Sequence, residues 1–453
     1  MAKKASMDML HGPLFSKLML LAVPIVLSSI LQQLFNTADI AVSGKFISSA
    51  AMAAVGSNAP IIGLFISMVG GLSVGANVLL AVGIGRKRFD EVKVSLQTSM
   101  TAALLIGLVL MVLGVLVARP ILELTSAPED IIDMAATYLR IYFLGMPFLM
   151  IYNFGSAVLR ADGDSRRPLY CLVFSSLANL VLDLLFVTVI PWGIAGVAFA
   201  TTIANGLSAV LILYYLVGEK GYLHLDLRGF RLDRACMRQI VSIGGPAALQ
   251  GIVFSLSNVV IQAAINSFGS DAVAGVSAAL NFEYFTYYIV NGFAQAAVTF
   301  TSQNYAVRSM ERCREIFRLS LAAAVLFTAL LSAVFVVFRY PLLHVFTTSD
   351  AVMDYALIRL LIVTGLECMT ASYEVSGSCL RGMGVSMLPA IETLFGSCLL
   401  RIFFILTIFW RMPDFTLLMK IYPVTWLITG TMVMTTYFVV QKRLFRQKPV
   451  YSR

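Results

Sequence analysis

Long apolar runs follow one another along almost the whole chain, broken by short clusters of charged residues, Gly and Pro. Most runs reach 18 residues or more, enough for an α-helix to cross a hydrocarbon layer of about 30 Å. The pattern predicts twelve membrane-spanning helices, at 14–38, 51–81, 94–117, 131–157, 169–190, 193–217, 239–266, 272–303, 319–338, 352–379, 389–410 and 417–440. The expected fold class is therefore an all-α membrane protein.

The twelve runs fall into two sets of six. Leu159-Arg160-x-x-Gly163-x-Ser165-x-x-Pro168 returns as Leu380-Arg381-x-x-Gly384-x-Ser386-x-x-Pro389, at an offset of 221 residues. The same offset aligns Asp133, Ala135 and Leu139 with Asp354, Ala356 and Leu360, and an offset of 222 aligns Pro24 and Asn36 with Pro246 and Asn258. This divides the chain into an N-terminal lobe (1–217), a polar cytoplasmic linker (218–238) and a C-terminal lobe (239–453). Six helices per repeat is an even number, so both halves insert the same way up, as in parallel-repeat transporters. The repeated motif itself reads as a tight turn, with Gly supplying an unusual backbone conformation and Pro opening the next helix.

Composition agrees with a membrane body: 59% of residues are apolar, 13% are charged, and mean hydropathy is +0.86. The net charge of +9 is an orientation signal. Of 33 Lys and Arg, 25 fall in alternate segments that include both termini, and only Lys45, Arg119, Arg339, Arg411 and Lys420 fall in the intervening loops. That bias predicts cytoplasmic termini, and the dispersal of the basic residues argues against nucleic acid as a partner. The polar first helix does not suit a cleaved signal. Six scattered cysteines form no CxxC pair, so neither a disulfide frame nor a zinc site is expected. His11, His224 and His344 all lie outside the predicted helix cores, which leaves no acid–base set for an intramembrane enzyme.

Ionisable groups inside helices each cost about 2.5–3.5 kcal/mol on insertion scales, so each needs a partner or a task. Here they are Asp39, Arg140, Asp183, Glu283, Arg359, Glu367, Glu374, Glu392 and Arg401. By depth, Asp39, Tyr138, Asp183 and Thr201 all fall in the outer half of the first lobe. Asn179 and Asp183 stand at i, i+4, and Gln32, Asn36 and Asp39 at i, i+4, i+7, so each set shares one helical face. Two carboxyls with neutral oxygens around them suit a proton or Na⁺. The alternatives are that Asp183 pairs with Arg140 and that Asp39 caps the first helix. In the second lobe, Glu283 and Arg401 are expected near mid-membrane, as a pair or lining a cavity, and Glu367 reaches Arg359 only through a bend or water.

The Pro24 to Asp39 run, the Leu159 to Pro168 turn, Asn179-x-x-x-Asp183 and Gly196-x-Ala198-x-Ala200-Thr201 together resemble the multidrug and toxic compound extrusion (MATE) family over essentially the full chain. The resemblance implies two lobes in a V around a central cavity, in a bacterial-type cell inner membrane. It implies antiport of H⁺ or Na⁺ against organic, often cationic, compounds, with no other cofactor and no partner beyond substrate and lipid, by a protein expected to act as a monomer. It also implies a first-lobe cation site at Asp39, Asn179, Asp183 and Thr201 with Tyr138 close by, and a bend of the first helix at Pro24. Gln32, Asn36 and Glu283 are further candidates for cavity lining or gating. Where some members carry acids in helices 7 and 10, this chain has Phe254 and Thr370, so a second-lobe site of that pattern is not expected. A lipid-linked precursor flippase of the wider superfamily is the alternative.

Overall fold

The computed structural model describes residues 7–124 and 128–446; the remainder of the two tails assigned to the cytoplasm lies outside the described residues. In chain order the helices are α1 (Leu14–Phe46), α2 (Ser49–Gly85), α3 (Phe89–Leu124), α4 (Ile132–Leu144), α5 (Met146–Ala161), α6 (Arg166–Leu184), α7 (Gly193–Gly218) and α8 (Arg234–Asn266). They continue as α9 (Ser270–Ala306), α10 (Met310–Val337), α11 (Arg339–His344), α12 (Asp350–Ile362), α13 (Ala371–Gly382), α14 (Met387–Thr393), α15 (Leu400–Thr407) and α16 (Phe415–Arg446).

All twelve expected spans appear, several of them interrupted. Nine described spans are long and apolar enough to cross a membrane, and the α4–α5 pair, bent by 47°, makes a tenth when counted as one. The bend follows from Pro147: its ring has no N–H to offer and clashes with the carbonyl four residues back, so α4 closes with Gly145 N–H donating to the Tyr142 carbonyl at 2.9 Å. The other two expected spans are α9, which carries Glu283, and α12–α13, which is broken by a 3-10 turn at Thr364–Thr370 that carries Glu367. α6 passes into a π-turn at Leu185–Val189, and another π-turn (Leu394–Leu399) joins α14 to α15.

The repeated motif is one turn built twice. Gly163 has φ +90° and Gly384 φ +86°, backbone that costs a residue with a Cβ about 1–2 kcal/mol. Gly163 N–H donates to the Arg160 carbonyl and Asp164 N–H to that of Leu159, both at 2.9 Å; Gly384 and Val385 repeat this on Arg381 and Leu380 at the same distance. These paired bonds satisfy the open carbonyls of a helix end, and Pro168 and Pro389 follow in the first turn of the next helix, where a missing N–H costs nothing.

Packing divides the chain into two compact units: Met1–Asp8 with Leu27–Gly244, and Met9–Val26 with Gly245–Arg453. Each unit thus contains the opening stretch of the other repeat's first helix. In the first unit, the start of α8 lies so close to α2 that a Cβ on Gly75 would meet the Ile240 carbonyl oxygen at 2.2 Å, and one on Gly244 the Leu72 carbonyl oxygen at 2.8 Å. In the second, a Cβ on Gly292 of α9 would come within 2.3 Å of Val26 Cγ2 in α1. The segment 219–233 also belongs to the first unit. Tyr222 stacks on Phe89 at 4.4 Å and donates its hydroxyl to Asp162 Oδ1 at 2.6 Å, and Leu223 and Leu225 are buried.

Candidate functional site

The helix α1 does not end at residue 38 as expected. The run from Ile40 to Phe46 stays mostly apolar, so the helix continues to Phe46 and Asp39 sits inside it, 4% exposed. Asp39 is therefore not a cap. Three other elements of the first unit converge on it. From α7, Thr201 Oγ1 donates to Asp39 Oδ2 at 3.0 Å and lies 3.1 Å from the Val197 carbonyl. From α6, Asp183, fully buried two residues before the π-turn, brings its carboxyl against that of Asp39. From α4, the buried Tyr138 neighbours Thr201 and lies within electrostatic range of both carboxyls.

Asn179, one turn before Asp183, is 5% exposed, and its Nδ2 has no hydrogen-bond partner among the described residues; the same holds for Asp39 Oδ1 and both Asp183 oxygens. Two carboxyls side by side out of water, with one hydroxyl donor between them, form a place for positive charge: desolvation and mutual repulsion both oppose two bare anions. The alternative partner, Arg140, is exposed, and the ionisable neighbour of Asp183 is Asp39.

The other sequence candidates are distributed differently. Asn36 is exposed and Gln32 half-buried, so of the three residues on that face of α1 only Asp39 enters the cluster. Pro24 is buried, lies within the unbroken α1 and belongs to the second unit, two residues before the packing boundary. Glu283 is in the second unit and is taken up by Arg359: Oε2 accepts from Arg359 Nη2 at 2.8 Å and Nε at 3.1 Å. The anticipated Glu283–Arg401 pair does not form, because Arg359 projects from α12 onto the α9 face carrying Glu283, whereas Arg401 turns to α16 and donates from Nε to Thr425 Oγ1 at 2.9 Å. Two neighbours were missed. Ser43 donates to the Asp39 carbonyl at 2.8 Å, and Tyr142 stacks on Tyr138 with centroids 6.4 Å apart. Each stands four residues after a predicted site residue, so the helical repeat was a signal that pointed to them.

The two six-helix repeats match what the family comparison finds. The model of the MatE family fits residues 24–185 and again 246–407. The chain belongs to the MatE family. It is a membrane transporter and not an enzyme. Among relatives of this MatE protein is the "Probable multidrug resistance protein YoeA" of Bacillus subtilis, 27% identical over 83% of each chain. Another is an "FAD transporter" of Shewanella oneidensis, 27% identical over 69% of this chain and 70% of the relative. In fold it resembles the outward-facing structure of a multidrug resistance MATE family transporter of the MOP superfamily, with a TM-score of 0.89, 19% identity, and coverage of 99% of this chain and 100% of that one.

Proposed function

We propose that this MatE protein is a secondary antiporter that exports amphipathic organic compounds, chiefly cations, in exchange for H⁺ or Na⁺, from a bacterial-type inner membrane with both termini in the cytoplasm. The observation that carries this reading is the adjoining burial of Asp39 and Asp183, with Thr201 donating to the first. Drug export is supported by the name borne by the Bacillus relative, and the name of the Shewanella relative extends the cargo to anionic compounds. The lipid-linked precursor flippase draws no support from these relatives or from an acidic site.

A cation entering the carboxyl pair removes a repulsion and completes the coordination of oxygens that otherwise lack donors. Asn179 and Tyr138 border the space in which it sits, and Thr201 orients Asp39. Moving one positive charge inward yields about 2.3 kcal/mol per 100 mV, and its concentration gradient adds to that. Exchange requires occupied and empty forms to differ in shape. Pro24, which removes an N–H from α1 close to where that helix passes from one unit to the other, is the position we assign to that bend.

The test is efflux of ethidium from proteoliposomes with H⁺ and Na⁺ gradients imposed separately. Asp39→Asn and Asp183→Asn should each abolish gradient-driven efflux while ethidium still binds. Efflux that survives both substitutions refutes the coupling assignment.

A further inference from the structure

The second unit holds a cluster of ionisable side chains that the coupling site does not use. It lies among α8, α9, α12, the Thr364–Thr370 turn, α15 and α16, and contains two acids, Glu283 and Glu367, and two arginines, Arg359 and Arg401. One pair in it is closed. Arg359 gives two N–H groups to Glu283, points Nη1 at Met419 Sδ at 3.7 Å, and lies 5.1 Å from the centre of the Tyr422 ring.

The other two charges are open. Arg401 is 1% exposed and its Nη2 has no partner among the described residues; Glu367 is 3% exposed and its Oε2 has none. Glu367 stands within electrostatic range of Glu283, Arg359, Arg401 and Glu374, yet it forms no ion pair with either arginine of the kind that Glu283 and Arg359 make alongside it. Arg401 is also held rigidly. Thr425 Oγ1 takes its Nε, and its guanidinium lies over two rings, 4.4 Å from that of Tyr422 and 5.8 Å from that of Phe254. An unpaired buried donor and an unpaired buried acceptor are each expensive, and a structural pair would close on itself. A fixed guanidinium with a free N–H, an aromatic ring against it and a free carboxyl oxygen within electrostatic range are the elements that recognise a ligand bearing both an anionic and a cationic group on a flat apolar body.

We propose that Arg401, Glu367 and Tyr422 form a substrate subsite for zwitterionic aromatic amphiphiles, with the ligand's carboxylate or phosphate on Arg401 Nη2, its cationic group on Glu367 Oε2 and its ring system against Tyr422. The Thr364–Thr370 turn that carries Glu367 interrupts α12–α13 with weaker 3-10 bonding, which gives the acid room to move as the ligand enters. That the ligand is export cargo rests on the function proposed above; the subsite itself is tested by binding alone, with no gradient.

The experiment compares rhodamine B, which carries a carboxylate and a delocalised cation, with rhodamine B ethyl ester, which keeps the cation and loses only the anionic charge. Affinities are measured on purified protein in nanodiscs by fluorescence polarisation, against empty nanodiscs. The wild type should prefer rhodamine B. Arg401→Met should weaken rhodamine B about tenfold or more and leave the ester unchanged, the loss expected when a charged hydrogen bond is removed. Arg401→Gln, which keeps a polar head beside Thr425, should do the same if the Met variant does not fold. Glu367→Gln, nearly isosteric, should weaken both dyes, since both carry the cation. Equal wild-type affinities, an equal loss of both dyes in the Arg401 variants, or unchanged binding in Glu367→Gln would overturn the proposal. Binding in this format is independent of Asp39 and Asp183, so failure of the coupling assignment leaves the result readable.

Discussion

The Glu283–Arg359 pair sets up a measurable asymmetry. Arg359 is 3% exposed and donates twice to one carboxylate oxygen, while the Glu283 side chain keeps 16% of its surface. Glu283→Ala removes the acceptor and leaves a guanidinium among apolar and aromatic groups, with Met419 and the Tyr422 ring as its remaining contacts. Leaving such a charge unpaired costs about 3–5 kcal/mol. Arg359→Leu leaves the better-hydrated partner behind, and its loss should be smaller, about 1–3 kcal/mol. The double variant Glu283→Met with Arg359→Leu replaces the pair by apolar groups of similar volume and should return to within about 1 kcal/mol of the wild type. Thermal unfolding in detergent, followed by circular dichroism on these proteins and on Glu283→Met alone, which closes the cycle, measures the coupling energy. A loss under about 1 kcal/mol for Glu283→Ala, or a double variant as unstable as the sum of the singles, would refute the argument.

Two further outcomes follow from positions outside the membrane spans. Burial pushes the Asp162 carboxyl from its ordinary 3.8 up to about 6, with Glu219 and Asp164 adding to the shift and the Tyr222 hydroxyl and Arg167 opposing it. A raised acid binds its proton more tightly in the folded state, so its contribution is complete below about pH 4 and is lost as pH rises through about 6. It amounts to roughly 3 kcal/mol. Asp162→Asn should therefore flatten the stability profile between pH 4 and 7, and an unchanged profile would assign the pH response elsewhere. At the repeated turn, Gly163→Ala and Gly384→Ala should each cost about 1–2 kcal/mol in denaturant titrations, because both backbones are left-handed. A position that tolerates Ala without loss would contradict the φ on which the cost rests.

Much of the candidate site's arrangement was legible in the sequence because helices convert spacing into direction. Asn179 and Asp183 share a face, and both are buried; Thr201 reaches Asp39, and Tyr138 lies next to Thr201. What failed to follow from spacing was the path of each helix axis. Asn36 lies three residues before Asp39 and yet is exposed, since a face three residues wide includes side chains directed well away from one neighbour. The partner of Glu283 also depended on geometry that no period encodes. Arg359 and Arg401 are both buried cations in the second repeat, and only the approach of α12 to α9 selects the first.

By itself the sequence determined the number of helical spans, their duplication, the turns between them and the residues whose charge had no business in hydrocarbon. Those are local properties: apolar length, a left-handed glycine, a missing N–H, the desolvation of a carboxyl. Tertiary structure alone decided that Asp183 faces Asp39 and not Arg140, that the opening stretches of α1 and α8 pack in the opposite repeat's unit, and that Arg401 and Glu367 remain open beside a closed pair. The reason is that a buried charge is satisfied by whichever group packing brings within about 3 Å, and a small displacement of one helix past another exchanges one partner for the next.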